Sequence, residues 1–199
     1  MTTTRHYHTV SLALLALLLA APAVATAQST STTPPRWEFN VSSGRLVPTG
    51  AQRTAITGGG VTAAQLSFVP GPIAVTTTLG WARTRDLGLP NQPRLDAFLV
   101  DIGAELRAPR VRLGKVALAP FGGAGMGLRS YNHRSLAIDA THNLAGFLGG
   151  GVEAGLGRVR LRVELRDYVS GFKALDGSDR GMIRNDMAIL AGLRLAPHR

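Results

Sequence analysis

Between Arg158 and Ser170 the chain alternates in character: Val159, Leu161, Val163, Leu165 and Val169 recur at every second position, with Arg158, Arg160, Arg162, Glu164, Arg166 and Tyr168 set between them. Successive side chains of a β-strand point to opposite faces, so one face of this segment is aliphatic and the other charged. Wound into a helix, the same charges would spread round the whole circumference and leave no apolar stripe. The segment is predicted to be a strand whose two faces meet different media.

Seven further segments fit the same period. Trp37, Phe39 and Val41 alternate with Glu38, Asn40 and Ser42; Leu66 and Phe68 with Gln65 and Ser67; Ile73, Val75, Thr77, Leu79 and Trp81 with Ala74, Thr76, Thr78 and Gly80. Phe98 to Leu106 places Asp101, Gly103 and Glu105 opposite Val100, Ile102 and Ala104, and Val116 to Arg129 sets Phe121, Gly123, Gly125, Gly127 and Arg129 against Met126 and Leu128. Asn143 to Leu156 carries Phe147, Gly149, Gly151 and Glu153 on one face, and Asp186 to Leu195 carries Asp186, Ala188, Leu190, Gly192 and Arg194. Eight strands result, in a chain of 199 residues that suits one folded domain.

The connections alternate in length. Thr49 to Gly60, Arg83 to Arg94, Tyr131 to Thr141 and Gly171 to Ile183 are long, while Pro70-Gly71-Pro72, Ala108 to Gly114 and the turn at Gly157 are shorter. An even strand number, one rim of short turns and one of long loops describe an up-and-down transmembrane barrel. The expected fold class is therefore all-β: an eight-stranded antiparallel up-and-down transmembrane β-barrel over residues 36–196. A soluble exported barrel of lipocalin type, apolar face inward around a ligand, is the β alternative. Composition of the second face weighs against it, because that face is largely Gly and Ala with sparse, opposed charges.

Those opposed charges form the candidate site. Glu38, Asp101, Glu105, Glu153, Glu164 and Asp186 share the inward face with Arg107, Arg129, Arg160, Arg162, Arg166 and Arg194. A narrow interior of low dielectric does not hold uncompensated charge, so they are expected to pair as a structural network. Eight strands leave an interior only wide enough for side chains, and Leu99, Phe121, Phe147 and Leu190 add bulk there, so no sustained conduction is expected. Asp96, Asp167 and Asn185 fall on the lipid face near the loop ends, where polar groups cost little.

Residues 1–27 read as a secretory signal: Arg5 in a short polar start, the apolar run Val10 to Ala21, and Ala25-Thr26-Ala27 before a cleavage point. Residues 28–35 read as an unstructured arm. The expected location is the bacterial outer membrane after export through a cleaved signal peptide.

Pro120-Phe121-Gly122-Gly123-Ala124-Gly125-Met126-Gly127, Gly149-Gly150-Gly151-Val152-Glu153 and Leu161-Arg162-Val163-Glu164-Leu165-Arg166-Asp167-Tyr168 resemble the central and penultimate strands of small OmpA-like/OmpX-like outer-membrane β-barrels. The resemblance implies lumen packing rather than chemistry. Such barrels usually end in an aromatic, whereas this chain reads Leu195-Ala196-Pro197-His198-Arg199, a degenerate insertion signal.

Lipid-modifying enzymes also use eight-stranded barrels. His133-Arg134-Ser135 resembles the His-x-Ser pair of outer-membrane lipid A deacylases, yet the sequence places it in a long loop with no Glu before Glu153, which reads as a solvated pair. No catalytic residue, cofactor or metal site is expected: the chain has no cysteine, and no His/Asp/Glu spacing suggests a metal. A formal net charge of +10 raises nucleic acid as a partner, but the arginines alternate with lipid-type residues and the chain is exported. Arg83, Arg85, Arg94, Arg134, Lys173, Arg180 and Arg184, beside the long loops, point instead to lipopolysaccharide phosphates. Arg107, Arg110, Arg112 and Lys115 point to anionic lipids at the other rim. Outer-membrane lipids and an unknown surface ligand are the expected partners of a monomer.

Overall fold

The computed structural model describes residues 35–114, 116–134, 136, 140–156, 158–172 and 182–196. The expected signal segment, and with it Lys115, Ser135, Lys173, Arg180 and His198, lies outside the described residues.

Nine strands follow in order: β1 (Arg36–Thr49), β2 (Gly59–Val69), β3 (Ile73–Arg85), β4 (Arg94–Arg107), β5 (Val111–Leu113), β6 (Val116–His133), β7 (Thr141–Leu156), β8 (Val159–Phe172) and β9 (Met182–Leu195). Every long strand pairs antiparallel with its sequence neighbours. β1 pairs with β9, and β4 pairs with β6, which closes eight strands into an up-and-down barrel. Closure matters physically, since every strand then has two partners and no edge remains to be satisfied in hydrocarbon. β5 is a short ribbon folded back on the start of β6, inside the segment expected to be one of the shorter connections.

The side-chain period sorts the faces. Trp37, Val75, Leu79, Phe98, Ile102, Met126, Leu144, Leu161 and Leu193 are exposed on the outside, while Glu38, Asp101, Glu105, Glu153, Arg162 and Arg194 are buried inside. The soluble alternative requires the reverse polarity and is overturned by this arrangement. On β4 the apolar outward residues run from Phe98 to Leu106. Eight residue steps span about 27 Å along the strand and about 20 Å along the barrel axis at the usual tilt, close to the height of a lipid-facing band. Among the described residues no helix is long and apolar enough to cross a membrane.

The glycines of β6 and β7 make room for rings. A Cβ on Gly125 would lie 2.6 Å from the Phe147 ring, and one on Gly151 would lie 2.6 Å from the Phe121 ring. Small residues on these strands therefore let two phenylalanine rings lie over the neighbouring strand inside the lumen.

One segment departs from expectation. The connection between β1 and β2, expected to be an outer loop, is ordered: Gly50–Thr54 forms a single 3-10 turn and Ile56 bridges to Asp86. From it Gln52 and Ile56 turn inward and are fully buried, so this connection caps the barrel.

Candidate functional site

The twelve charged positions read from the sequence all lie on inward-facing strand positions, and ion pairs join eleven of them in the part of the lumen nearest the short turns. Arg162, on β8, is the hub. Its Nε donates to Glu164 at 3.0 Å, Nη1 to Glu153 at 2.8 Å and Nη2 to Glu105 at 2.6 Å. Arg194, on β9, reaches Glu153 at 2.7 Å, Glu105 at 3.2 Å and Glu38 at 3.3 Å. Arg107 joins Glu38 at 2.6 Å and Glu105 at 2.8 Å. Arg129 meets Asp101 at 2.9 Å, and Arg166 pairs with Glu164 and lies 3.6 Å from Asp101. Arg160 extends the set toward the rim, 3.5 Å from Glu153. Asp186 stands apart and higher, 3.5 Å from the Tyr131 hydroxyl.

Neutralisation and packing act together here. Glu38, Asp101, Glu105, Glu153 and Glu164 meet the guanidiniums of Arg107, Arg129, Arg162, Arg166 and Arg194, five charges of each sign, with Arg160 and Arg36 adding two more guanidiniums at the rim. Three of these guanidiniums also lie over rings: Arg162 on Phe121 at 3.5 Å, Arg129 on Tyr168 at 3.8 Å and Arg166 on Phe147 at 5.1 Å. A buried arginine retains its charge, and its planar fork satisfies several carboxylates while its face stacks on an aromatic. The cavity among Gln65, Thr76, Glu105, Phe121, Phe147 and Arg166 measures about 10 Å³. That is roughly the space of one water molecule.

Toward the long loops an apolar cluster joins the lining, beside buried polar groups such as Asp86 and Asp186. Leu46, Ile56, Val61, Ala82, Leu95, Ala97, Leu99, Tyr131, Ala188 and Leu190 form one buried cluster. Gln52 caps it, its amide donating to the Tyr131 hydroxyl at 3.3 Å and its carbonyl accepting from Arg184 at 3.0 Å. Arg184 is thus a buried lumen residue, and the expectation that it faces outer lipids is corrected. Its parity explains why: it lies two positions before Asp186, on the same inward face.

His133 is also corrected. The sequence reading made it a solvated loop residue; it is instead the last residue of β6, buried, with Nε2 2.9 Å from Asp86 Oδ2. No described hydroxyl hydrogen-bonds to His133, and Ser135 lies outside the described residues. Among the described residues no group of His, Asp and Glu is placed to hold a metal ion.

At the short-turn rim, Arg110 lies near other arginines. Partial burial, then the like charges of Arg160 and Arg36, lower its guanidinium from the ordinary value, with Glu153 and Glu38 offsetting part of the effect.

No protein-family model matches the chain, and no curated protein matches it. Solved structures do. Neisserial surface protein A is similar over 80% of this chain and 96% of its own, with a TM-score of 0.59 at 12% identity. The outer membrane protein OprG from Pseudomonas aeruginosa is similar over 84% of this chain and 99% of its own, with a TM-score of 0.51 at 11% identity. The likeness shows a shared fold: the closed eight-stranded barrel of outer-membrane proteins.

Proposed function

We propose that this chain is a small barrel of the bacterial outer membrane, exported through a cleaved signal peptide, with a structural or surface-interaction role and a sealed lumen. The observation that carries the reading is the inverted polarity: aliphatic side chains outside, a paired ionic network inside, and a cavity of about 10 Å³ within that network. An apolar exterior of this extent is stable only against hydrocarbon. A lumen filled with paired charges and rings suits a role performed at the outer surface or in the membrane itself, with lipids and lipopolysaccharide as the immediate partners of a monomer.

Two observations test the reading together. The folded protein extracted in detergent is expected to migrate faster on gels before boiling than after, and protease added to intact cells is expected to cut only within the long connections. Equal migration, or cleavage within the barrel strands, contradicts it.

A catalytic reading gains one point from the structure, because Asp86 holds His133 as an orienting carboxylate would. The pair nevertheless lies on inward positions at the capped end, away from the outer wall where acyl chains lie. We infer that it serves packing. Loss of a measurable esterase activity on lipid A in Ser135→Ala would reverse that assignment.

A further inference from the structure

We propose that the outer wall of the barrel carries a binding site for the phosphate groups of lipopolysaccharide, built at the loop end of β1, β3, β4 and β6; the proposal rests on the outer-membrane reading above. Arg45, Arg83, Arg85, Arg94 and Arg134 are exposed there, and one carboxylate, Asp96, stands among them. Pairing registers bring these positions together. Arg45 lies opposite Gly60, Gly60 opposite Arg83, and Arg83 opposite Asp96, so a single row crosses four strands. Arg85 faces Arg94 directly across β3 and β4, and the Arg94 carbonyl accepts the Arg134 amide at 3.2 Å.

The cluster is organised, not merely basic. Asp96 accepts from Arg134 Nε at 2.6 Å, from its Nη2 at 3.1 Å and from Trp81 Nε1 at 3.1 Å. Arg83 stacks on the Trp81 ring at 4.2 Å. Asp96 thereby positions one arginine and the indole that seats another, while none of Arg45, Arg83, Arg85 and Arg94 has a carboxylate within ion-pair distance among the described residues. Nothing occupies the space above Gly60, which leaves an open notch between Arg45 and Arg83.

Folding alone gives no reason for this arrangement. Like charges directly opposite on neighbouring strands destabilise a sheet, and Arg85 against Arg94 is such a pair. An anion between them converts the cost into charge-assisted hydrogen bonds. Nor is the cluster a general property of the rim: on β7, β8 and β9 the only outward-facing Asp, Glu, Lys or Arg among the described residues is Asp167.

Depth selects the ligand. Asp96 is two positions beyond Phe98, the last large apolar residue of the β4 outer face, and Arg94 is four beyond it. These steps raise the cluster about 5 to 10 Å above the hydrocarbon edge, the depth of the headgroup layer. A phosphomonoester there brings up to two negative charges and three acceptor oxygens, against one charge for a phosphodiester lipid. Outer-leaflet lipopolysaccharide presents the former, so it is favoured over anionic glycerophospholipid.

The test uses the folded protein in detergent with three probes: purified lipopolysaccharide, the same material after phosphatase treatment, and phosphatidylglycerol. Wild type is expected to bind intact lipopolysaccharide most tightly. R83S/R85S/R94S is expected to lose on the order of tenfold or more in affinity, and the single charge reversal R85E to lose a measurable part of it. Arg158→Ser at the opposite rim is expected to bind as wild type. Unchanged binding by both cluster variants, or equal binding of the dephosphorylated probe or of phosphatidylglycerol, overturns the site. Heat-modifiable migration is read on the same samples. Its absence in wild type takes down the outer-membrane reading and this site with it, whereas normal migration with unchanged binding removes the site alone.

Discussion

The two ends of the lumen solve one problem in opposite ways. Near the short turns the interior is filled by arginine, glutamate and aromatic rings, with Arg162 and Arg194 each reaching three carboxylates. Near the long connections it is filled mainly by Leu46, Val61, Leu95, Leu99 and Leu190, closed by Gln52 and Ile56, with the few polar groups there held in separate pairs such as Asp86 with His133. The first filling is strong but brittle, because each charge depends on its neighbours. The second is made of many small, nearly independent contributions. The ionic end is therefore expected to fail as a unit and the apolar end residue by residue.

Substitutions that separate the two ends have different expected sizes. Arg162→Leu removes the one guanidinium that Glu105, Glu153 and Glu164 share and leaves each with fewer buried partners, a loss of about 3 to 5 kcal/mol. Urea unfolding of the refolded barrel measures it, and adding Glu105→Gln and Glu153→Gln to the same chain is expected to recover part of the loss. Leu190→Ala at the apolar end opens a cavity and costs about 2 to 3 kcal/mol by the same assay, without recovery from a charge change. Gln52→Ala removes the cap that Tyr131 and Arg184 share and costs about 1 to 2 kcal/mol. Asp96→Ala, on the outer wall, breaks a pair with the exposed Arg134 and a hydrogen bond from Trp81, and is expected to change stability by about 1 kcal/mol. If Arg162→Leu proved as mild as Asp96→Ala, the contrast between the two ends would disappear.

Parity along the strands made most of this architecture readable. Alternation placed Glu38, Asp101, Glu105, Glu153, Arg162 and Arg194 inside because a lipid-facing neighbour on each side fixed the phase. The same rule weakened where strands rise past the membrane, since both faces there carry polar residues. Arg184 and His133 belong to the inward phase of β9 and β6, and Asp86, one residue past β3, continues that strand's inward phase, yet each stood beyond the last clear apolar marker and read as loop. Arg45 was missed for the same reason: it is the outward position four residues beyond Val41, in the stretch where β1 loses its aliphatic signal. The inward turn of Gln52 and Ile56 had no local signal at all. It depends on space left by Ala82, Ala97 and Ala188 from three distant strands, a property of the closed barrel rather than of residues 50–58. The pairing of Asp86 with His133, 47 positions apart in the chain, likewise follows only from register.

The central claim is that neutralised charge at one end and apolar packing at the other leave the lumen closed. Single-channel recording of the folded, purified protein in planar bilayers tests it most directly. The account predicts no sustained conductance steps above the bare membrane. Well-resolved, long-lived open channels from pure wild-type protein would contradict it.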